Sequence, residues 1–272
     1  MGAEQLIRLP GKNLHVSKMP GHWLLARLGK RVLRPGGIQF TRSLLRDLAI
    51  GPGDRVVEFA PGLGVTARLI LEKGPTTYTG VERDADAAQW TCRHLGSHEK
   101  VAVAVGTADC TGLSSGSASV VLGEAMLSMN TQEQKERIAA EAFRLLCPGG
   151  RYGIHELAIV PDGLPSYRKN EIARALSETI HVGARPLTPE EWRAMLERAG
   201  FRVLRTQDAA MHLLRPRRLI ADEGLGGALR IVSNILRDGA ARHRVLTMRR
   251  VFEQYRQNLR AISLIAQKPP TA

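Results

Sequence analysis

The spacing of apolar positions changes twice along the chain. In "HWLLARLGKRVLR" (22–34), Trp23, Leu24, Leu28 and Val32 recur at helical intervals, which predicts a basic amphipathic helix ended by "PGG" at 35–37. A second helix is predicted over 38–49, with Phe40, Leu44, Leu45 and Leu48 on one face. From Gly51 onward, short apolar runs alternate with helical patterns. Strands are predicted at 55–60, 77–82, 101–106, 117–123 and 151–159, with helices at 64–73, 84–96 and 131–146. "LTPEEW" (187–192) marks a further helix start, with Thr188 as N-cap, Pro189 in the first turn and Glu191 placed to close a capping box. A sixth strand follows Gly200, and "LRAISLIAQK" (259–268) is the last. Strands alternating with helices imply an α/β fold, a parallel sheet covered on both faces.

The stretch between the last two strands, 211–257, does not follow this alternation. It reads as an insertion of two amphipathic helices, one carrying Val245, Met248, Phe252 and Tyr255, with a glycine-rich break (Gly224, Gly226, Gly227) before the first. Its apolar stripes must bury against something, either the rest of this chain or a partner subunit in a homodimer.

Composition narrows the class. No apolar run approaches the ~18 residues of a membrane span, and residues 1–10 have no signal-peptide core. The three cysteines (Cys92, Cys110, Cys147) are widely separated. That argues against a disulfide framework or a bound metal, and points to the cytoplasm. The net charge of +13 is segregated: residues 1–50 hold nine Lys/Arg against two acids, and residues 211–260 hold eleven Arg against four, while 51–210 is close to neutral. Excess positive charge at the two ends suggests an anionic substrate or partner, or a solvated basic surface. Few aromatics and no RNA-binding motif make nucleic acid an unlikely partner; the basic amphipathic helices leave peripheral contact with an anionic membrane open.

The candidate chemistry starts at "VVEFAPGLGVTA" (56–67). Gly62-Leu-Gly64-Val-Thr-Ala67 fits the G-x-G-x-x-G/A spacing of a dinucleotide site, and Glu82 follows at the distance of a ribose-binding acid. An NAD(P)-linked oxidoreductase is therefore one reading, and a basic RNA- or membrane-binding protein another. Glu58 weighs against the dinucleotide, because a carboxylate at the end of the first strand would repel a pyrophosphate and suits a cationic ligand.

With Glu58 and Glu82 in place, the chain resembles the class I S-adenosylmethionine-dependent methyltransferases, over about 38–210 plus the last strand. "VVEFAPGLGVTA" is similar to the family's first motif, "YTGVERD" (78–84) to its second, and "LLCPGG" (145–150) precedes the fifth strand as in the family. The general likeness is to the small-molecule group that includes quinone and sarcosine-type enzymes. The resemblance implies a Rossmann-like seven-stranded, mainly parallel sheet in the order 3-2-1-4-5-7-6. It implies S-adenosylmethionine as cofactor, with S-adenosylhomocysteine as product. The implied cofactor residues are Glu58 near the methionine amino end, Ala60, Gly62 and Gly64 in the close-approach loop, Glu82 on the ribose hydroxyls, Arg83, and Glu124. Where the family has an acid after strand three, this chain has "GTADC", so Ala108 and Asp109 are expected to meet the adenine.

The expected reaction is in-line displacement at the sulfonium methyl, with a small-molecule acceptor that is apolar or anionic. Glu124 and His155 are the candidates for a base or an acceptor-orienting role, with Met126, Glu156, Arg168 and His181 as acceptor contacts. Strand alternation sends only one of His155 and Glu156 toward the cleft. The expected organisation is an N-terminal helical cover (1–50) on a methyltransferase domain (51–272) with a lid-like segment at 162–187.

Overall fold

The computed structural model describes residues 9–11, 14–96 and 99–270. Seven strands form one sheet in the order β3-β2-β1-β4-β5-β7-β6. They are β1 (Arg55–Phe59), β2 (Thr77–Glu82), β3 (Val101–Val105), β4 (Ala118–Glu124), β5 (Leu146–Ile159), β6 (Arg202–Ala210) and β7 (Leu259–Gln267). The first five run parallel, and β7 pairs antiparallel with both β5 and β6. The central strands β1 and β4 are apolar with little alternation because helices cover both faces. β5 starts at Leu146, five residues earlier than its apolar pattern suggests, so "CPGG" lies inside the strand.

One face packs on α5 (Gln132–Leu145) and α7 (Pro189–Arg198), around Ile138, Ala142, Trp192 and Leu196. The other packs on α2 (Gly37–Asp47), α3 (Val65–Leu71) and α4 (Ala85–Leu95), around Leu44, Leu48, Ile70 and Leu122. Local signals set the helix starts. Asp84 caps α4 by accepting from Ala87 N, and Thr131 and Thr188 each close a full capping box.

The helix expected at 22–34 is a correction. α1 spans only Gly21–Arg27. Gly29 N bonds Ala26 O and Lys30 N bonds Leu25 O, a Schellman stop with Gly29 at φ +106°. Residues 30–36 then leave the helix and cross the top of the sheet as a strap. The apolar periodicity continued past the true end because Val32 is buried from this non-helical strap.

The insertion forms α8 (Pro216–Arg237) and α9 (Gly239–Gln254). The glycine break lies inside α8, at Gly224, not before it. α9 buries Ala241, Val245 and Met248 against Val16, Met19, Leu24 and Leu25 of the N-terminal region. A further helix, α6 (Ser166–Ile180), packs Ile172 and Leu176 against Tyr255 and the start of β7.

Buried polar bonds tie the strap to α8. Lys30 Nζ lies 3.2 Å from Asp222 and 3.5 Å from Glu223, and the Lys30 and Asp222 side chains are fully buried. Glu223 Oε1 accepts from Arg31 N and Val32 N, and Asp222 Oδ1 accepts from Ile38 N. Asn234 donates to Leu28 O, and Arg244 donates to Val16 O and Met19 O. Insertion and N-terminal region are thus one unit laid over the carboxyl edge of the sheet.

Candidate active site

A cavity of about 790 Å³ opens where β1, β2, β3 and β4 end, within the usual range for small-molecule sites. Its floor is Ala60 to Leu63 after β1, Glu82 to Asp84 after β2, Gly106 to Asp109 after β3, and Glu124 to Met126 after β4. Asn130, Gln134 and Ile138 form one side. The roof is His22, Trp23, Arg31, Leu33 and Arg34, with Leu14 and Val182.

The glycine loop divides its work between two residues. Gly62 sits at φ +58°, and a Cβ there would meet nothing but Ala60 O at 3.9 Å, so the space above it belongs to the cavity. Gly64, at φ +72°, is not on the cavity wall: its missing Cβ makes room for Thr91, whose Cγ2 would be 3.1 Å away. Expecting Gly64 to give a ligand close approach is therefore corrected; it lets α3 start against α4. Thr91 in turn donates to Gly62 O at 2.7 Å, so that packing holds the loop. Glu82 accepts from Gly62 N and from Asp84 N, both at 3.0 Å, which fixes the loop and the acid together. Burial raises the Glu82 pKa, against the pull of those backbone donors.

Glu58 does not face the cavity. It is 3% exposed, and its Oε2 accepts from Tyr78 OH at 2.7 Å. Burial, only partly countered by Tyr78, pushes its pKa up to about 8. At neutral pH it is mainly protonated and under the loop, so it is no anionic partner for a cationic ligand. This corrects the expected role.

Glu124 is the opposite case. Its carboxylate accepts from Thr41 Oγ1 at 2.7 Å and pairs with His155 Nδ1 at 2.6 Å. Thr66 and Arg34 also bond it. Burial would raise its pKa, but Arg34, His155 and Thr66 outweigh that and hold it at about 2. A carboxylate so saturated with donors is a poor proton acceptor; it anchors Arg34 in the roof.

His155 is fully buried behind Glu124, with Nε2 2.6 Å from Pro35 O and Phe40 edge-on to its ring. Both ring nitrogens face oxygen acceptors, which fixes the ring between Glu124 and the strap. Glu156 points to the opposite face, as alternation requires, and is also buried. It accepts from Met126 N, Leu127 N, Ser128 N and Ser128 Oγ, clamping the turn after β4. Neither residue lines the cavity, which corrects the expectation that one would. Arg168 pairs with Glu171 on α6, and His181 caps α6 at φ +55°; both lie off the cavity wall.

Of the other expected residues, Ala60, Gly62, Glu82, Arg83, Ala108, Asp109, Glu124 and Met126 line the cavity. Asp109 also pairs with Arg137 at 3.1 Å. Sequence reasoning missed the roof residues. Arg34 Nε and Arg31 Nη1 are buried in the protein without a hydrogen-bond partner, and the Arg31 guanidinium lies 5.5 Å from the Trp90 ring. Burial lowers the His22 pKa to about 4, Asp84 opposing and Arg83 assisting, so its imidazole is neutral at neutral pH. The surplus of positive charge in residues 1–50 was the available signal, but nothing local distinguishes these residues from solvated ones. Among the described residues, no group of His, Cys, Asp and Glu is placed to hold a metal ion.

A family profile described as "Methyltransferase domain" matches residues 57–154, spanning the floor of the cavity. The chain carries the methyltransferase domain of an S-adenosylmethionine-dependent methyltransferase. An uncharacterised protein of Haemophilus influenzae is 32% identical over 251 residues, 91% of this chain and 98% of its own length. Among solved structures, the [4+2]-cyclase SpnF is similar at TM-score 0.68 and 17% identity, covering 91% of this chain and 93% of its own. Phosphoethanolamine N-methyltransferase 2 of Haemonchus contortus, solved with phosphomonomethylethanolamine and S-adenosylhomocysteine, is similar at TM-score 0.70 and 15% identity, covering 96% of this chain and 60% of its own. The matched domain and the fold are those of S-adenosylmethionine-dependent methyltransferases, and S-adenosylmethionine is the cofactor they imply. The residues present fit it: an open space above Gly62, an acid at the end of β2, and two guanidinium groups with free donors in the roof.

Proposed function

We propose that the methyltransferase moves a methyl group onto a small molecule carrying an anionic group beside an apolar body, by direct in-line displacement at the sulfonium methyl. The observation that carries this reading is the roof: Arg31 Nη1 and Arg34 Nε lack partners next to Trp23, Leu33, Met126, Met129 and Ile138. A buried N–H left without a partner costs about 1–3 kcal/mol, which an anion placed there would relieve. The cofactor supplies a methyl group already activated on sulfur. What remains for the protein is to align the acceptor and exclude water.

Each residue then has a task. Gly62 leaves room for the cofactor, Glu82 receives the ribose hydroxyls, and Ala108 and Asp109 border the adenine. Arg34, held by Glu124 and Thr66, and Arg31 take a carboxylate or phosphate. His22, kept neutral by burial, offers a ring nitrogen in the roof that can orient the acceptor by a hydrogen bond.

Two calorimetric titrations test this. S-adenosylhomocysteine is expected to bind the wild type, and NADPH is not; Gly62→Val should abolish the binding of S-adenosylhomocysteine, and unchanged affinity would overturn the site. Arg31→Met distinguishes the source of the anion. If the cofactor's own carboxylate sits there, affinity for S-adenosylhomocysteine falls while that for 5′-methylthioadenosine, which lacks the carboxylate, does not. If the acceptor's anion sits there, cofactor affinity holds and KM for anionic acceptors rises. No change in either would remove the arginines from the site.

A further inference from the structure

The outer side of the insertion carries a pattern that the methyl-transfer site does not use. On α8, Leu225, Leu229 and Leu236 are exposed by 65%, 63% and 62%, and Val232 is also exposed. Their spacing of four, three and four residues places them in one stripe along the helix. The inward face of the same helix, Ala228 and Ile231, is already buried, so the stripe is additional to what the fold needs. On α9, Leu246 is exposed, with Arg242, Arg249 and Arg250 one turn away on the same face.

The charge on this surface is uncompensated. The guanidinium groups of Arg217, Arg230, Arg237, Arg242, Arg249 and Arg250 have no hydrogen-bond or ion-pair partner among the described residues. All four acids of 211–257 are paired: Asp222 and Glu223 with Lys30, Asp238 with Arg27 and the start of α9, and Glu253, on this same surface, with Arg215 and Arg256, which leaves Arg217 and Arg249 beside it unpaired. Between the start of α8 and the end of α9 lies a cleft of about 480 Å³, lined by Arg215, Pro216, Arg217, Arg249 and Glu253. Exposed Ile220 and Leu246 each stand three residues from one of its free arginines.

We infer that the α8–α9 face docks the methyltransferase on an anionic lipid bilayer, the leucine stripe entering the interface and the Arg217–Arg249 cleft receiving lipid phosphate. Apolar side chains beside unpaired arginines match a surface that is apolar below and anionic at its head groups. A second copy of the chain would bring the same arginines and be repelled. Single-stranded nucleic acid would want aromatic platforms, but the aromatics here, Phe252 and Tyr255, are partly or fully buried in the core.

The test is flotation of the full-length protein with vesicles of phosphatidylcholine alone and of equimolar phosphatidylcholine and phosphatidylglycerol. Binding is expected to the mixed vesicles alone. It should fall about tenfold or more in Leu229→Ser/Leu236→Ser and in Arg217→Ser/Arg249→Ser. Melting temperature and S-adenosylhomocysteine binding should not move, since no altered residue touches the cavity or the core; these readouts also keep the docking and cofactor readings separable. Three results would overturn the inference: no binding of the wild type to mixed vesicles, binding that both variants retain, or a stable dimer in sedimentation that the leucine variant splits. Tight binding to single-stranded RNA lost only in the arginine variant, with vesicles ignored, would assign the surface to nucleic acid instead.

Discussion

The floor and the roof of the cavity are built by different rules. The floor comes from the segments that follow four consecutive strands, between residues 59 and 126, a region nearly neutral in charge. Each turn is closed by contacts a few residues away or on the next strand, such as Asp84 capping α4 or Glu82 holding Gly62 N across 20 residues. The roof joins residues 14–38 to residues 222–244 through bonds spanning up to 228 residues, many of them buried and charged. In the proposed reading, a floor of local turns serves the cofactor. The roof is held by one chain's own pairings, which is where selection of an acceptor can be placed.

The largest expected effect breaks the roof. Lys30→Met leaves Asp222 and Glu223 buried without their cation, and about 3–5 kcal/mol of stability should be lost in urea unfolding. Lys30→Met combined with Asp222→Leu and Glu223→Leu should recover part of the loss, since it removes the buried charges together.

The next tests the floor through pH. Glu58 has an ordinary value of 4.5 when unfolded and about 8 when folded, so the folded state holds an extra proton between those values. The protein is therefore expected to lose stability as pH rises from about 4.5 to about 8, up to roughly 5 kcal/mol, and then to level off. Glu58→Gln, which keeps an acceptor for Tyr78, should flatten that slope. An unchanged slope in denaturant titrations from pH 5 to 8 would show that Glu58 is ionised in the fold.

Two smaller changes divide the glycine loop by function. Glu82→Ala removes a charged acceptor and should weaken S-adenosylhomocysteine binding by at most a few kcal/mol, two hydrogen bonds to a charged group. Gly64→Ala should cost about 1–2 kcal/mol of stability, from the left-handed backbone and the approach to Thr91, while leaving cofactor affinity near wild type. If Gly64→Ala instead lowered affinity as Gly62→Val does, both glycines would belong to the ligand.

Much of the floor was legible in the order of residues. The β1 loop, Glu82, Arg83, Ala108, Asp109, Glu124 and Met126 all reach the cavity because a parallel strand delivers whatever follows it to the same edge of the sheet. What those side chains do there was not legible. Glu58 and Glu124 are both acids near the carboxyl ends of adjacent strands, yet burial with a single hydroxyl partner pushes the pKa of one up while several donors hold that of the other down. His155 and Glu156 had the right residue types and the right strand, but both turn inward, to Pro35 and to the turn after β4.

The sequence by itself determined the alternation of strands and helices, the capped helix starts, the glycine loop and the segregation of positive charge, because each rests on interactions within one turn or on simple counting. Only the tertiary structure decided that the strap ends α1 early, that Lys30 meets Asp222 and Glu223, and that Arg31, Arg34 and His22 close the cavity. Those contacts depend on which of many similar arginines and acids come together across nearly 200 residues, and on the burial that then sets their charge.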